Sequence, residues 1–394
     1  MDISKKVQEQ MENSSWIRRM FEQGIELKKT HGEKNVFDLS LGNPIVNPPK
    51  KFFEILRDLS NSKDKNVHKY MPNAGFYEVR EEIAKSISKE SGLPFKASDI
   101  VMTVGAAGAI NTLFRSILDP GDEVIIISPF FAEYIFYIEH QNGNYRICDS
   151  DENWMPNLKN LENIIGEKTK AILINSPNNP SGVIYSKEIL EKMSSIIKNA
   201  EKKYSTSIYL ISDEPYRKII YSNNDYPFIY QYHERSVVAT SHSKDLGLAG
   251  ERIGYIAVNP SYNNKIKLID AIIFSLRTLG FVNAPALMQR VVAKLQDEVV
   301  DVNIYRKKRD LLYENLIKIG YDCVKPDGAF YLFPKSPIPN DEEFVKILQK
   351  ELVLVVPGIG FGTKGFFRAS YCVEDWVIEG SLDGFNQVLK QINS

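Results

Sequence analysis

Cysteine is scarce in this sequence. Among 394 residues there are three, Cys148, Cys323 and Cys372. They lie far apart and form no CxxC, so the spacing supports neither a disulfide framework nor a thiolate metal site. Histidine is almost as rare. His31, His68, His140, His233 and His242 form no HxxxH or HExxH pair, which argues against a metal centre. Net charge is nearly nil, with 49 basic residues against 50 acidic ones. No basic tract offers a footing for nucleic acid, and no acidic tail suggests disorder. No stretch approaches the roughly 18 unbroken apolar residues of a membrane span. The richest, IVMTVGAAGAINTLF, is interrupted by Thr, Asn and small residues. The opening MDISKKVQEQ lacks the apolar core of a signal peptide. Repeats and low-complexity segments are also missing. These absences predict a cytoplasmic protein with reduced thiols, no membrane association and no nucleic-acid partner.

What is present is an ordinary globular balance, 43% apolar and 25% charged, in a chain long enough for two domains. From about residue 99 to 259, short apolar runs alternate with helical patterns. The runs DIVMTV, DEVIIIS, AILINS, IYLISD, SVVATS and RIGYIAV read as strands, and residues 187–204 read as one of the helices between them. This alternation predicts an α/β fold whose large domain is a mostly parallel sheet flanked by helices. The tail mixes helices with GAFYLFP and LVLVVPG and reads as a smaller α/β domain. The expected division is 1–50 as a segment packing on the small domain or a partner chain, 51–295 as the large domain, and 296–394 as the small one.

Parallel sheets bind ligands beyond the carboxyl ends of their strands, and those ends carry chemistry here. DIVMTV runs into Gly105-Ala106-Ala107, DEVIIIS into Phe130-Phe131, AILINS into Pro177-Asn178-Asn179-Pro180, and IYLISD ends on Asp213. Small residues opening a helix suit a phosphate, although GAAGAINTLF is equally compatible with close helix–sheet packing. It is neither a P-loop nor a full GxGxxG. SHSKDLGLAGERIGY gathers Ser241, Ser243, Lys244 and Arg252 after a strand. Two hydroxyls and a guanidinium can hold a phosphate dianion, and a neighbouring lysine can form an imine with an aldehyde. Asp213, at the end of a buried-looking run, needs a partner that a protonated ring nitrogen would supply. Tyr216 offers a phenol nearby.

This ordered set resembles the aspartate aminotransferase family, the class I/II aminotransferases among the fold-type I pyridoxal-phosphate enzymes. NSPNNPSG resembles its Asn-Pro-Thr/Ser-Gly motif, SDEPY its Asp-x-x-Tyr, and SHSKDLGLAGERIGY its Ser-x-x-Lys segment with arginine eight residues on. KYMPNAG, DPGDEVIIISPFF, PDGAFYLFP and VPGIGFGTKGFFRASY follow in the family's order, so the likeness covers about residues 35–390.

The resemblance implies a pyridoxal 5′-phosphate cofactor carried on Lys244, which also moves the substrate's Cα proton. It implies that Asp213 pairs with the pyridine nitrogen and that Tyr216 and Asn179 bond the ring's 3′ oxygen. Phe131 would stack on the ring, with Phe130 as the fallback. Ser241, Ser243, Arg252 and the amides of Ala106 and Ala107 would hold the phosphate, joined by Tyr70 of a neighbouring subunit in a homodimer. Arg368 would bind the substrate's α-carboxylate, with Gly42 nearby. The implied activity is transfer of an amino group from an L-amino acid to a 2-oxo acid. A pyridoxal-phosphate lyase on the same fold, or a silent cofactor-binding regulatory protein, are the alternatives. Ala107 stands where some bacterial aspartate aminotransferases carry a base, which weakens the specific reading of aspartate. Arg277 lies near the position of a substrate-selecting arginine supplied by the partner chain, although a helix-end salt bridge would explain it as well. His242 reads as a buried structural histidine.

Overall fold

The computed structural model describes residues 3–12, 16–222 and 226–394. Its strands, in chain order, are β1 (Phe37–Asp38), β2 (Ile100–Thr103), β3 (Glu123–Ile127), β4 (Asn144–Cys148), β5 (Thr169–Asn175), β6 (Tyr209–Asp213), β7 (Ser236–Ser241), β8 (Gly254–Val258), β9 (Tyr331–Leu332), β10 (Val353–Leu354), β11 (Val356–Pro357) and β12 (Phe367–Ser370). Seven form one sheet in the order β2-β8-β7-β6-β5-β3-β4. β8 runs antiparallel to both of its neighbours, and the other pairings are parallel. All six strands expected from the sequence are here. The seventh, β4, was not legible, because four of its five residues are exposed at the sheet edge and leave no apolar run.

The central strands are apolar without alternation because helices cover both faces. Val124 and Ile126 point into one core, with Leu173, Ile211 and the helix Gly105–Ile117. Ile125 and Ile127 point into the other, with Ile172, Leu210 and the helix Lys187–Tyr204. That second helix has the expected bounds. Ser186 caps it by accepting from the Ile189 amide at 3.3 Å. Leu190, Met193 and Ile197 give it a buried stripe at helical spacing.

A second, antiparallel sheet, β11-β12-β9, is built from the tail, and β1 pairs with β10 in parallel. The N-terminal segment divides its contacts: Gln10 Nε2 donates to Glu139 Oε2 at 2.9 Å beside the large sheet, and the part from Trp16 onward meets this smaller unit. Trp16 sits against Gly360, and Gly24 is pressed close to Leu354.

One topological consequence positions the site. Because β8 is antiparallel, its start lies on the same edge as the carboxyl ends of the parallel strands. Arg252, two residues before Gly254, is therefore brought beside Ser241, with which Gly254 is in register.

Candidate active site

Asp213 closes β6, flanked in the sheet by Asn175 of β5 and Ala239 of β7. Asn175 ties the turn that follows it to the neighbouring strand: its Nδ2 donates to the Asp213 carbonyl at 2.7 Å, and its Oδ1 accepts from the Asn179 amide at 2.7 Å. The Asp213 carboxylate is buried. Its Oδ2 accepts from the Tyr134 hydroxyl at 2.5 Å, and its Oδ1 has no partner among the described residues. Burial pushes its pKa up to about 7, opposed by the Tyr134 bond, which favours the charged form. A buried carboxylate with one oxygen unmatched is suited to a cationic N–H.

Lys244 follows β7. Its Nζ donates to the Gly42 carbonyl at 2.8 Å and lies 5.3 Å from the centre of the Phe330 ring. Burial lowers its pKa to about 8. Arg368 and Arg252 push the same way, while Cys372 opposes them. An amine so placed is partly neutral near pH 7 and able to attack a carbonyl.

The start of the helix Gly105–Ile117 supplies the other end of the cavity. Gly105 is left-handed, at φ +76°, and a Cβ there would stand 2.9 Å from Arg252 Nη2. Glycine therefore lets the guanidinium reach the first-turn amides. Ala106, Ala107, Ser241, Ser243 and Arg252 border this end, a cup of amides, hydroxyls and a cation matched to a phosphate dianion. Arg252 Nη1 is bonded to the Ala249 carbonyl at 3.0 Å.

At the opposite end Arg368 is 2% exposed. Its Nη1 donates to Asn179 Oδ1 at 3.0 Å and its Nη2 to the Ser40 carbonyl at 2.5 Å. The rings of Tyr331 and Phe361 flank it at 4.5 and 4.7 Å. Its Nε has no partner, and no carboxylate pairs with it among the described residues. A buried guanidinium in this state is suited to an incoming carboxylate. Tyr216 and Tyr331 share a hydroxyl contact of 2.9 Å. Gly42 is required beside them, because a Cβ there would lie 1.9 Å from the Tyr331 hydroxyl.

One cavity of about 260 Å³ collects Gly42, Ala106, Ala107, Phe131, Asn179, Asp213, Tyr216, Ser241, Ser243, Lys244, Arg252 and Arg368. These are the expected site residues save two. Tyr70 is 90% exposed, and Arg277 ends the exposed side of the helix Lys265–Thr278. Neither borders the cavity of its own chain. Phe130, the fallback for ring stacking, is corrected by the structure. It is buried against Gly362, its amide donates to the Phe361 carbonyl, and it does not line the cavity. Phe131 does. His242 is buried, as expected, with its Nδ1 3.1 Å from Asp245 Oδ2.

Sequence reasoning missed Asn175, Tyr137 and Tyr331, which also line the cavity, and the bond from Tyr134 to Asp213. Asn175 was within reach as the polar end of AILIN. Nothing local announces Tyr134, whose partner is 79 positions away.

Comparison with known proteins agrees with this geometry. Residues 34–380 match the model of the family "aminotransferase class I and II". A probable aspartate aminotransferase of Methanocaldococcus jannaschii is 33% identical, covering 90% of this chain and 93% of its own. An aspartate/prephenate aminotransferase of Thermus thermophilus is 32% identical over 89% and 90%. The crystal structure of an aminotransferase from Eubacterium rectale superposes with a TM-score of 0.96 at 37% identity over the whole of both chains. That of the Thermus thermophilus aspartate aminotransferase with maleate gives 0.87 at 27% identity, over 99% of this chain and all of that one. The chain belongs to the class I and II aminotransferases and is a pyridoxal-phosphate-dependent transaminase.

Proposed function

We propose that this aminotransferase moves the amino group of an L-amino acid bearing a side-chain carboxylate, aspartate or glutamate, to a 2-oxo acid. We propose further that it works in the cytoplasm as a homodimer, each cavity completed by Tyr70 and Arg277 of the other chain. The domain division at about residues 50 and 295 belongs to the same reading. The seven-stranded sheet falling within 100–258, and the smaller sheet within 331–370, support it.

The observation that carries the reading is that one cavity is lined, together with Lys244, by two buried groups suited to outside partners: Asp213, whose Oδ1 has no partner among the described residues, and the Arg368 guanidinium, which no carboxylate among them holds. Asp213 fits the ring nitrogen of pyridoxal phosphate and would keep it protonated. Phe131 would cover the ring, and Tyr216 and Asn179 would bond its 3′ oxygen. Ser241, Ser243, Arg252 and the amides of Ala106 and Ala107 would hold the phosphate. When bound, the cofactor supplies an electron sink conjugated with the amino acid's Cα.

The chain's own residues do the rest. Arg368 grips the α-carboxylate with its fork and fixes which bond at Cα faces Lys244. Lys244 Nζ, in its neutral form, would accept the Cα proton. Its lowered pKa favours that form. The apolar walls formed by Ile110, Phe131 and Tyr331 limit water around the reacting atoms. The names of the relatives, aspartate and aspartate/prephenate aminotransferases, support an acidic substrate.

The test is a screen of the pyridoxal form against the common L-amino acids, followed by absorbance for conversion to the pyridoxamine form, with analysis of the released acid. Aspartate and glutamate should convert it fastest and yield their 2-oxo acids. Ammonia release in place of conversion would indicate a lyase. No reaction with any amino acid would indicate a silent binding protein.

A further inference from the structure

Lys244 stands between two residues whose side chains meet behind it. His242 Nδ1 and Asp245 Oδ2 are 3.1 Å apart, at 4% and 7% exposure. The same turn is tied through its backbone. The His242 amide donates to the Ile253 carbonyl at 3.0 Å, the Leu248 amide to the His242 carbonyl at 3.2 Å, and the Val300 amide to the Asp245 carbonyl at 2.8 Å. The Lys244 side chain leaves this turn in the other direction, into the cofactor cavity.

Burying an imidazole and a carboxylate together is costly, and nothing in the cavity uses them directly. His242 Nε2 and Asp245 Oδ1 have no partner among the described residues. Both residues border a small space of about 10 Å³, on the scale of one water, shared with Thr240 and with Glu214, the neighbour of Asp213. The pair thus sits where the ends of β6 and β7 approach each other behind the cavity. The Glu214 amide donates to the Ala239 carbonyl at 2.9 Å, and Thr240 Oγ1 donates to the Glu214 carbonyl at 2.9 Å.

From this arrangement we infer that His242 and Asp245 are positioning residues for Lys244: their hydrogen bond fixes the turn from which Lys244 reaches both the cofactor and the substrate's Cα proton. The inference rests on Lys244 being the cofactor's anchor. A proton carrier that must serve two positions gains from a rigid base, since a displacement of about 1 Å can cost on the order of a hundredfold in rate.

The experiment compares wild type, Asp245→Ala and Asp245→Asn as holoenzymes, measuring kcat, KM, melting temperature and the rate at which borohydride fixes the cofactor to Lys244. Asp245→Ala should lower kcat about tenfold or more with KM for the amino acid little changed, and should slow the borohydride reaction. Asp245→Asn retains an oxygen that accepts from Nδ1–H and should restore most of both. A lowered melting temperature with wild-type kcat and borohydride rate would overturn the inference, since the bond would then serve stability alone. So would an Asn variant as slow as Ala. Should Asp245→Ala not fold, His242→Leu, which removes the donor but fills much of the space, is read by the same criteria. Failure of borohydride to label Lys244 in wild type would instead overturn the cofactor assignment itself.

Discussion

The Tyr134 hydroxyl donates to Asp213 Oδ2 at 2.5 Å and is the carboxylate's one side-chain donor among the described residues. Tyr134 is 1% exposed, so this bond is not diluted by solvent. It favours ionised Asp213 against the opposing effect of burial, and ionised Asp213 is the form that would keep a pyridine nitrogen protonated. A hydrogen bond to a charged group is worth about 1.5–3 kcal/mol. Tyr134→Phe, which keeps the ring, should therefore lower kcat about tenfold or more and loosen the cofactor. Rate and cofactor affinity indistinguishable from wild type would show that Asp213 needs no such support.

Asp213 and Glu214 should make the cofactor-free protein less stable as pH rises. Burial is the first cause for both, lifting each to about 7 from ordinary values of 3.8 and 4.5. Below the ordinary values both carboxyls are protonated in either state. Between those values and about 7, the unfolded chain gives up protons that the folded chain retains, so stability falls across that window and the loss is complete above it. His233, whose pKa burial lowers from the ordinary 6.5, works in the opposite sense. The decisive quantity is therefore the difference between wild type and Asp213→Asn. Apo wild type should lose more melting temperature from pH 5 to 8 than apo Asp213→Asn does, and bound cofactor should shrink that excess. Parallel curves for the two apo proteins would refute the assignment.

Lys244 should control both the attachment of cofactor and turnover. Because burial lowers its pKa to about 8, the rate of cofactor capture by the apo protein should climb from pH 7 to 9 as the amine loses its proton. Lys244→Ala should bind the cofactor without a covalent link and lose nearly all turnover. Mass spectrometry after borohydride should find the label on Lys244, and a label on another lysine would defeat the assignment.

Much of this site could be read from the sequence because its parts cluster at strand ends. Asp213, Ser241, Ser243 and Lys244 follow buried apolar runs, and the chemistry of each is local. Arg252 was visible in the same segment, but its position depends on β8 running antiparallel, which no periodicity reveals. β4 was hidden because an exposed edge strand, NYRIC, carries no apolar run. Tyr134 and Tyr331 were hidden for another reason: aromatic residues in apolar surroundings read as core, and only tertiary contact shows that their hydroxyls meet Asp213 and Tyr216.

Arg368→Lys should separate substrate binding from cofactor binding. The substitution keeps a charge but loses the fork and its bonds to Asn179 and Ser40. The kcat/KM for amino acids should fall by roughly 30-fold or more, the lower end of the about 2–5 kcal/mol typical when a buried charge pair is disrupted. Cofactor affinity should hold. Equal loss of both would make Arg368 a structural residue.

Arg277 tests the acidic-substrate reading and the homodimer together. It lies at the end of the helix Lys265–Thr278, beside the exposed ring of Phe274 at 5.6 Å, and no carboxylate holds it among the described residues. The cations lining the cavity are Lys244, Arg252 and Arg368. In the proposed reading each already has a task, at the cofactor's carbonyl, its phosphate and the α-carboxylate. A side-chain carboxylate would therefore need a fourth cation, and Ala107 offers none. Arg277 and Tyr70 do not border the cavity of their own chain, and in the proposed homodimer each would enter it from the second chain. Arg277→Ala should lower kcat/KM for aspartate roughly 30-fold or more and change alanine far less. Mixed dimers of Lys244→Ala with Arg277→Ala should regain aspartate activity. The chain bearing Arg277→Ala keeps Lys244 in its own cavity and receives an intact Arg277 from its partner. Equal losses on aspartate and alanine would make Arg277 structural. Full activity in a sedimenting monomer would remove the second chain from the mechanism.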